Sequence, residues 1–410
     1  MKRVELLAPA GDLEKLKYAI IYGADAVYIG GQVFGLRAAA KNFSFEDMKE
    51  GIAFAHERGK RVFLTLNIIP HNEDMHYLEK YIDDIKDLGL DAVILSDPGT
   101  FMFVKQHAPE LEVHLSTQAN NTNYMSANFW HTQGVKRVIL ARELSFDEIS
   151  EIRAKTPPTL ELESFIHGAM CISYSGRCLM SNYMAGRDAN RGACAQPCRW
   201  EYNLVEKTRP GEYFPVEETE DGTFFFNSKD LCMIHAIPEL IKSGLDSLKI
   251  EGRMKTIYYV ASIVRAYRKA IDTFYADPEH YVFNPEWFEE LQKVSHREFT
   301  TGFYEHKPTH EDQLYTTSSY VRTHDFIGVV KAYDDATGMA TIEQRNNFKV
   351  GDAIEIIGPD YFHASHTVEA MYDEKGDAIS VAPHAKQIIR IPLGFKVEPH
   401  YMLRMPVSDK

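Results

Sequence analysis

The chain is poor in cysteine, short of cations for its size and without a long apolar run, and each shortage removes a class of function. No stretch of the 410 residues approaches the roughly 18 consecutive apolar residues that a membrane span requires, so no membrane partner is expected. The opening, MKRVELLAPAG, breaks its short apolar run at Glu5 and falls short of a secretory core, so the expected compartment is the reducing cytoplasm. There, five cysteines point to metal or catalysis rather than to disulfides. Lysine and arginine total 45 against 59 acids, a formal charge of −14, which argues against a surface that grips nucleic acid everywhere. Neither a P-loop nor H-E-x-x-H occurs, and G-x-G-x-x-G does not follow the first strand. Phosphate-loop, zincin and dinucleotide chemistry therefore lack their motifs.

What is present begins with a repeated phrase. YGADAVYIGG (22–31), LGLDAVILSD (88–97), QGVKRVILAR (133–142) and SGLDSLKIEG (243–252) each place a glycine suited to ending a helix before a short β-branched run. Between them fit VELLAP (4–9), RVFLTLN (61–67), EVHLSTQ (112–118) and LELESFI (160–166). Eight buried strands alternating with helical patterns predict an α/β fold, a (β/α)8 TIM-type barrel. A chain of this length exceeds one core. From about Asp325 the texture turns to short alternating runs, so a small C-terminal all-β barrel domain is expected. The expected division is a barrel over 1–307, a linker over 308–324 and the β domain over 325–410.

One interval breaks the rhythm. Strand seven ends near Ile166 and strand eight begins near Leu245, and the insertion between them (168–236) holds every cysteine. Barrel chemistry is built from loops at the C-terminal ends of the strands, and this loop is one of those. The thiols run C-x6-C-x15-C-x3-C-x33-C, with only Cys194 and Cys198 paired as structural zinc sites usually are. An iron–sulfur centre, a structural zinc, inert buried thiols and a catalytic thiol all remain open on spacing alone. A Cys171–His167 pair, four residues apart, is conceivable as nucleophile and base, with no recognisable third member. Within 171–200, Arg177, Arg187, Arg191 and Arg199 face a single acid, Asp188. Other polar residues fall where strands end: Asn67, Gln118 with Asn120, Arg142 with Glu143, and His167. Strand eight ends in KIEGRMK, placing Lys249, Glu251, Arg253 and Lys255 at the mouth, where they suit either an anionic substrate or an internal ion-pair network.

At ESFIHGAMCISYSGRCLMS (163–181) the sequence resembles the signature of peptidase family U32, the collagenase-like family, without gaps. RDANRGACAQPCRW, KDLCMIHAIPELIKSGLDSLKIEGRMK and ELLAPAG extend the likeness over roughly 1–305. The resemblance implies oxygen-independent RNA hydroxylation, closest to the branch acting on a tRNA wobble uridine with prephenate as a required metabolite. It also implies a four-iron cluster on Cys171, Cys178, Cys194 and Cys232, with Cys198 as a spare thiol. On that reading Arg177, Arg187, Arg191 and Arg199 meet RNA phosphate, and Gln118 and Asn120 contact substrate. Lys249, Arg253 and Lys255 hold carboxylate or phosphate, Glu251 or His167 shuttles protons, and a redox partner supplies electrons. The rival expectations are a peptidase, as the family name has it, and a non-catalytic RNA-binding protein with structural zinc.

Overall fold

The computed structural model describes residues 2–35, 41–171, 173–200, 228–308 and 320–407, with the backbone of 204–205 and 213–214. Eight parallel strands close on themselves among these residues. They are β1 (Glu5–Pro9), β2 (Ala26–Gly30), β3 (Arg61–Leu66), β4 (Ala92–Leu95), β5 (Glu112–Leu115), β6 (Arg137–Ile139), β7 (Glu161–Ala169) and β8 (Ser247–Ile250). Each pairs with the next, and β8 pairs with both β7 and β1, Leu248 lying opposite Ser164 and Leu6. Helices α1 (Leu13–Ile21), α2 (Phe45–His56), α3 (Asn72–Ile85), α4 (Pro98–His107), α5 (Tyr124–Thr132) and α6 (Phe146–Ala154) separate the first seven strands. The repeated glycines do what their spacing predicts. Gly23, Gly89, Gly134 and Gly244 take φ of 111°, 84°, 91° and 84°, a left-handed turn that an L side chain resists.

Strand seven departs from its predicted end. It runs three residues past Ile166 to Ala169 and pairs antiparallel with the short strand Asp230–Cys232. The Cys-rich segment in between carries α7 (Met180–Ala185); α8 (Ile237–Lys242) then leads into β8. After β8, α9 (Ile257–Ala276) buries a seam of Ile257, Val260, Val264, Tyr267, Ile271 and Phe274 against the barrel, and α10 (Pro285–Gln292) packs on it.

The C-terminal part is antiparallel and all-β, as its texture predicts. Its strands β9 (His324–Asp334), β10 (Met339–Gln344), β11 (Ala353–Ile357), β12 (His363–Thr367), β13 (Ile388–Pro392) and β14 (Met402–Pro406) pair in the order β12-β11-β14-β9-β10-β13. Among the described residues the edge strand β13 is bridged in turn at Arg390 by Tyr372, in the segment that follows β12. Most of the expected linker, 309–319, lies outside the described residues. The two parts are bolted together by Arg404 of β14. It is fully buried and bidentate to Glu290 on α10 at 2.8 Å, and it donates to Glu355 at 2.7 Å.

Candidate functional site at the barrel mouth

The C-terminal ends of the strands and the Cys-rich segment enclose a cavity of about 340 Å³. Strands point alternate residues inward. Tyr28 (β2), Thr65 (β3), Phe165 (β7) and Lys249 (β8) therefore reach the cavity, joined beyond the strand ends by Asn67, Gln118, Arg142, Glu251 and Arg253.

Its floor is an ion network. Lys249 donates to Glu163 at 2.8 Å, and Glu163 accepts from Arg137 at 2.8 Å deeper in the barrel. Burial opposes ionisation of Glu163, but Lys249 and Arg137 outweigh it and hold the carboxyl below its usual range. Lys249 thus serves the internal network that was the alternative expectation, and only its upper surface, 3% exposed, meets the cavity. Arg253 is equally buried and donates to Thr65 Oγ1 at 2.8 Å. A Cβ on Gly30 would stand 2.4 Å from the Arg253 guanidinium, so glycine there leaves the arginine its place. Glu251 accepts from the Tyr28 hydroxyl at 3.3 Å, with Arg142 3.8 Å away. Arg142 itself lies 3.8 Å over the Phe165 ring, donates to the Ala169 carbonyl at 2.9 Å, and keeps a buried Nε without a hydrogen bond.

His167 is a correction. Register slips between Lys249 and Ile250 opposite β7, a bulge that shifts the pairing from Phe165 to His167. The imidazole does not line the cavity but stands among the rings of Tyr259, Tyr267 and Phe299, 1% exposed. Desolvation pushes it down to about 3, so it is neutral and cannot exchange protons with the cavity. No histidine lines the cavity among the described residues, which removes the Cys171–His167 dyad.

The thiols divide. Cys171, Cys178, Cys194 and Cys198 all line the cavity. Cys232, opposite His167 in the antiparallel pair, is buried with its Sγ 4.0 Å from the Tyr267 hydroxyl. A second criterion divides them differently. The sulfur of Cys194 accepts the N–H of Gln196 at 3.3 Å. A backbone N–H aimed at sulfur stabilises a thiolate and suits a ligand. Desolvation raises Cys198 to about 11, and fuller burial takes Cys232 to about 12. Cys178 is held in place by Asn190, which accepts from its N–H at 3.1 Å and donates to its carbonyl at 3.0 Å. Four thiols, those of Cys171, Cys178, Cys194 and Cys198, meet at the cavity and suit a thiolate-held group there, whereas Cys232 is buried outside the lining. Among the described residues no three His, Cys, Asp or Glu side chains converge on a single ion, as a tetrahedral zinc at about 2.3 Å from each thiolate would need.

The predicted cations also separate. Arg187 and Arg199 line the cavity, donating to the Ala193 carbonyl and to Gln196, and Arg177 is exposed outside it. Arg191 is committed elsewhere: bidentate to Asp74 at 2.7 and 2.8 Å, with Glu73 nearby, it ties the insertion to α3. Lys255 lines the cavity with its Nζ 4.0 Å over the Tyr320 ring. Gln118 is buried in the wall, whereas Asn120, left-handed at φ 53°, ends a short turn outside the cavity. Sequence reasoning placed Arg142 past a strand end without a role and did not single out Tyr28, whose signal was a polar-tipped ring in the middle of the apolar strand β2.

The glycine after His167 explains part of the motif. Gly168 has φ 109°, and a Cβ there would lie 2.5 Å from the Glu251 carbonyl, so glycine lets β7 close onto the turn bearing Glu251. Comparison with known proteins meets the same segments. The model for peptidase family U32 matches residues 11–314, and that for the family's C-terminal domain matches 322–404. The chain is 47% identical to tRNA hydroxylation protein P1 of Bacillus subtilis, over 98% of this chain and 95% of that one. It is 39% identical to tRNA hydroxylation protein P of Escherichia coli, over 99% and 97%. It is 40% identical to the 23S rRNA 5-hydroxycytidine C2501 synthase of E. coli, over 66% of this chain and 39% of that one. With both of its parts matched end to end, this chain is a member of peptidase family U32.

Proposed function

We propose that the protein is an RNA-modifying enzyme of the cytoplasm that hydroxylates a tRNA wobble uridine at C5 without molecular oxygen. In this reading a small carboxylate such as prephenate is co-substrate and a four-iron cluster is the redox group, recharged by a redox partner. The observation that carries it is the meeting, in one cavity, of several thiols with buried cations at the barrel mouth. All five cysteines are free, in keeping with a ligand role. The relatives named for tRNA and rRNA hydroxylation support the substrate class. Against the peptidase reading, no histidine lines the cavity beside the thiols among the described residues.

Cys171, Cys178, Cys194 and Cys232 would hold the cluster, which when bound supplies one-electron chemistry at the cavity wall. The protein's own side chains bind and orient. Arg253, fixed by Thr65, and Arg142, stacked on Phe165, offer guanidinium edges to a carboxylate. Tyr28 and Glu251, hydrogen-bonded at 3.3 Å, hold a proton at the cavity now that His167 is outside it. Anaerobic purification with iron and sulfide assay tests the cluster. Cys232→Ser should empty it and Cys198→Ser should keep it; the reverse result would place Cys198 in the ligand set, and stoichiometric zinc would refute the cluster. Nucleoside analysis of tRNA from a deletion strain tests the substrate. Unchanged 5-hydroxyuridine derivatives, with no redundant pathway, would refute the assignment.

A further inference from the structure

The outer face of the Cys-rich segment carries large apolar side chains that the cavity does not use. Tyr183 is 83% exposed, Leu179 59% and Tyr174 50%. Leu179 and Tyr183 stand four residues apart at and within α7, so they share a side of that turn. Exposed Arg177 and Arg187 lie beside them in the chain; Asp188, the one acid of 171–200, accepts the Asn190 N–H at 2.8 Å, and Glu143, bound to Ser175, is the acid beside Tyr174. A rim bearing rings and cations is unusual in a chain with a net charge of −14.

We infer that this rim is a stacking platform for unpaired bases of an RNA loop, holding the nucleotides that flank the one entering the cavity. The inference rests on the RNA-modifying reading and adds a surface to it. A base treated inside a cavity of about 340 Å³ must leave its stack, and its neighbours lose their stacking partner with it. Exposed tyrosine rings replace that partner for any base, because every base has a π-face, and the arginines meet the phosphates between. Duplex RNA hides its base faces and gains nothing from the rings. Exposed rings together with exposed Arg177 and Arg187 match the alternating π-faces and phosphates of a single strand.

The test titrates full-length, anaerobically prepared protein with an unmodified tRNA transcript and with a duplex RNA of equal length. Tyr183→Ala should weaken tRNA binding about 5- to 100-fold, the range of one lost base stack. It should leave duplex binding and iron content unchanged, and Tyr183→Phe, which keeps the ring, should bind as wild type. Wild-type tRNA affinity in Tyr183→Ala and in the Tyr174→Ala/Tyr183→Ala double variant would overturn the platform while leaving the enzyme reading standing. Loss of self-association in sedimentation, with RNA binding intact, would also overturn it and assign the rim to a second copy. Failure of the wild-type protein to bind tRNA at all would instead remove the RNA reading itself.

Discussion

The two ends of the barrel use arginine in opposite ways. At the N-terminal end, Arg137 is 1% exposed and surrounded by carboxylates, with Glu5 at 2.6 Å, Glu161 at 2.7 Å and Glu163 at 2.8 Å. Arg61 adds a second contact to Glu5. At the C-terminal end Arg177 and Arg187 are exposed, and among the described residues neither is paired with a carboxylate, Arg187 donating to the Ala193 carbonyl. A buried charge must be neutralised by the fold itself, whereas a solvated one can wait for an external anion. The difference separates an end that closes the barrel from an end that receives a substrate.

Breaking the closed end should produce the largest effect. Arg137→Met leaves Glu5 and Glu163 buried without their shared cation and should cost about 3–5 kcal/mol, read as a lowered denaturation midpoint. Acid should attack the same network. Burial opposes ionisation of Glu5, but Arg137 and Arg61 hold its carboxyl down to about 2 from the ordinary 4.5. A depressed folded pKa contributes stability above the unfolded value that is lost as pH falls. About 3 kcal/mol should therefore disappear between roughly pH 4.5 and 2, and Glu5→Gln should flatten that part of the stability profile.

The intermediate case is Arg191, which belongs to the insertion by sequence but pairs like a residue of the closed end. Arg191→Ala should cost about 1 kcal/mol by releasing Asp74, and leave the salt dependence of tRNA binding unchanged. The smallest effect on stability, a few tenths of a kcal/mol, belongs to Arg187→Ala. That variant should instead lower the slope of log affinity against log salt by about one. If the two arginines exchanged behaviours, the contrast between the ends would fail.

Much of the frame was legible because it repeats. Four glycine-terminated turns and eight short β-branched runs are local signals, and each is satisfied within a few residues of where it is written. The mouth cluster of Lys249, Glu251 and Arg253 was legible for the same reason, since strand ends place side chains by parity. His167 and Lys249 show where that logic stops. A one-residue bulge reverses parity for His167, and nothing in IHGAM announces it. Whether Lys249 faces ligand or Glu163 depends on a strand 86 residues away in sequence.

The sequence by itself determined the barrel, the insertion that holds every thiol and the family signature, because periodicity, turn chemistry and cysteine spacing are properties of neighbouring residues. The tertiary structure alone decided which charges are already neutralised and which thiols share the cavity. Arg191 meets Asp74 across 117 positions, and Cys232 is brought opposite His167 by an antiparallel pair that the barrel pattern does not foretell. Ion pairs and thiol sites are fixed by distances of a few ångströms between residues far apart in the chain, and only closure of the barrel sets those distances.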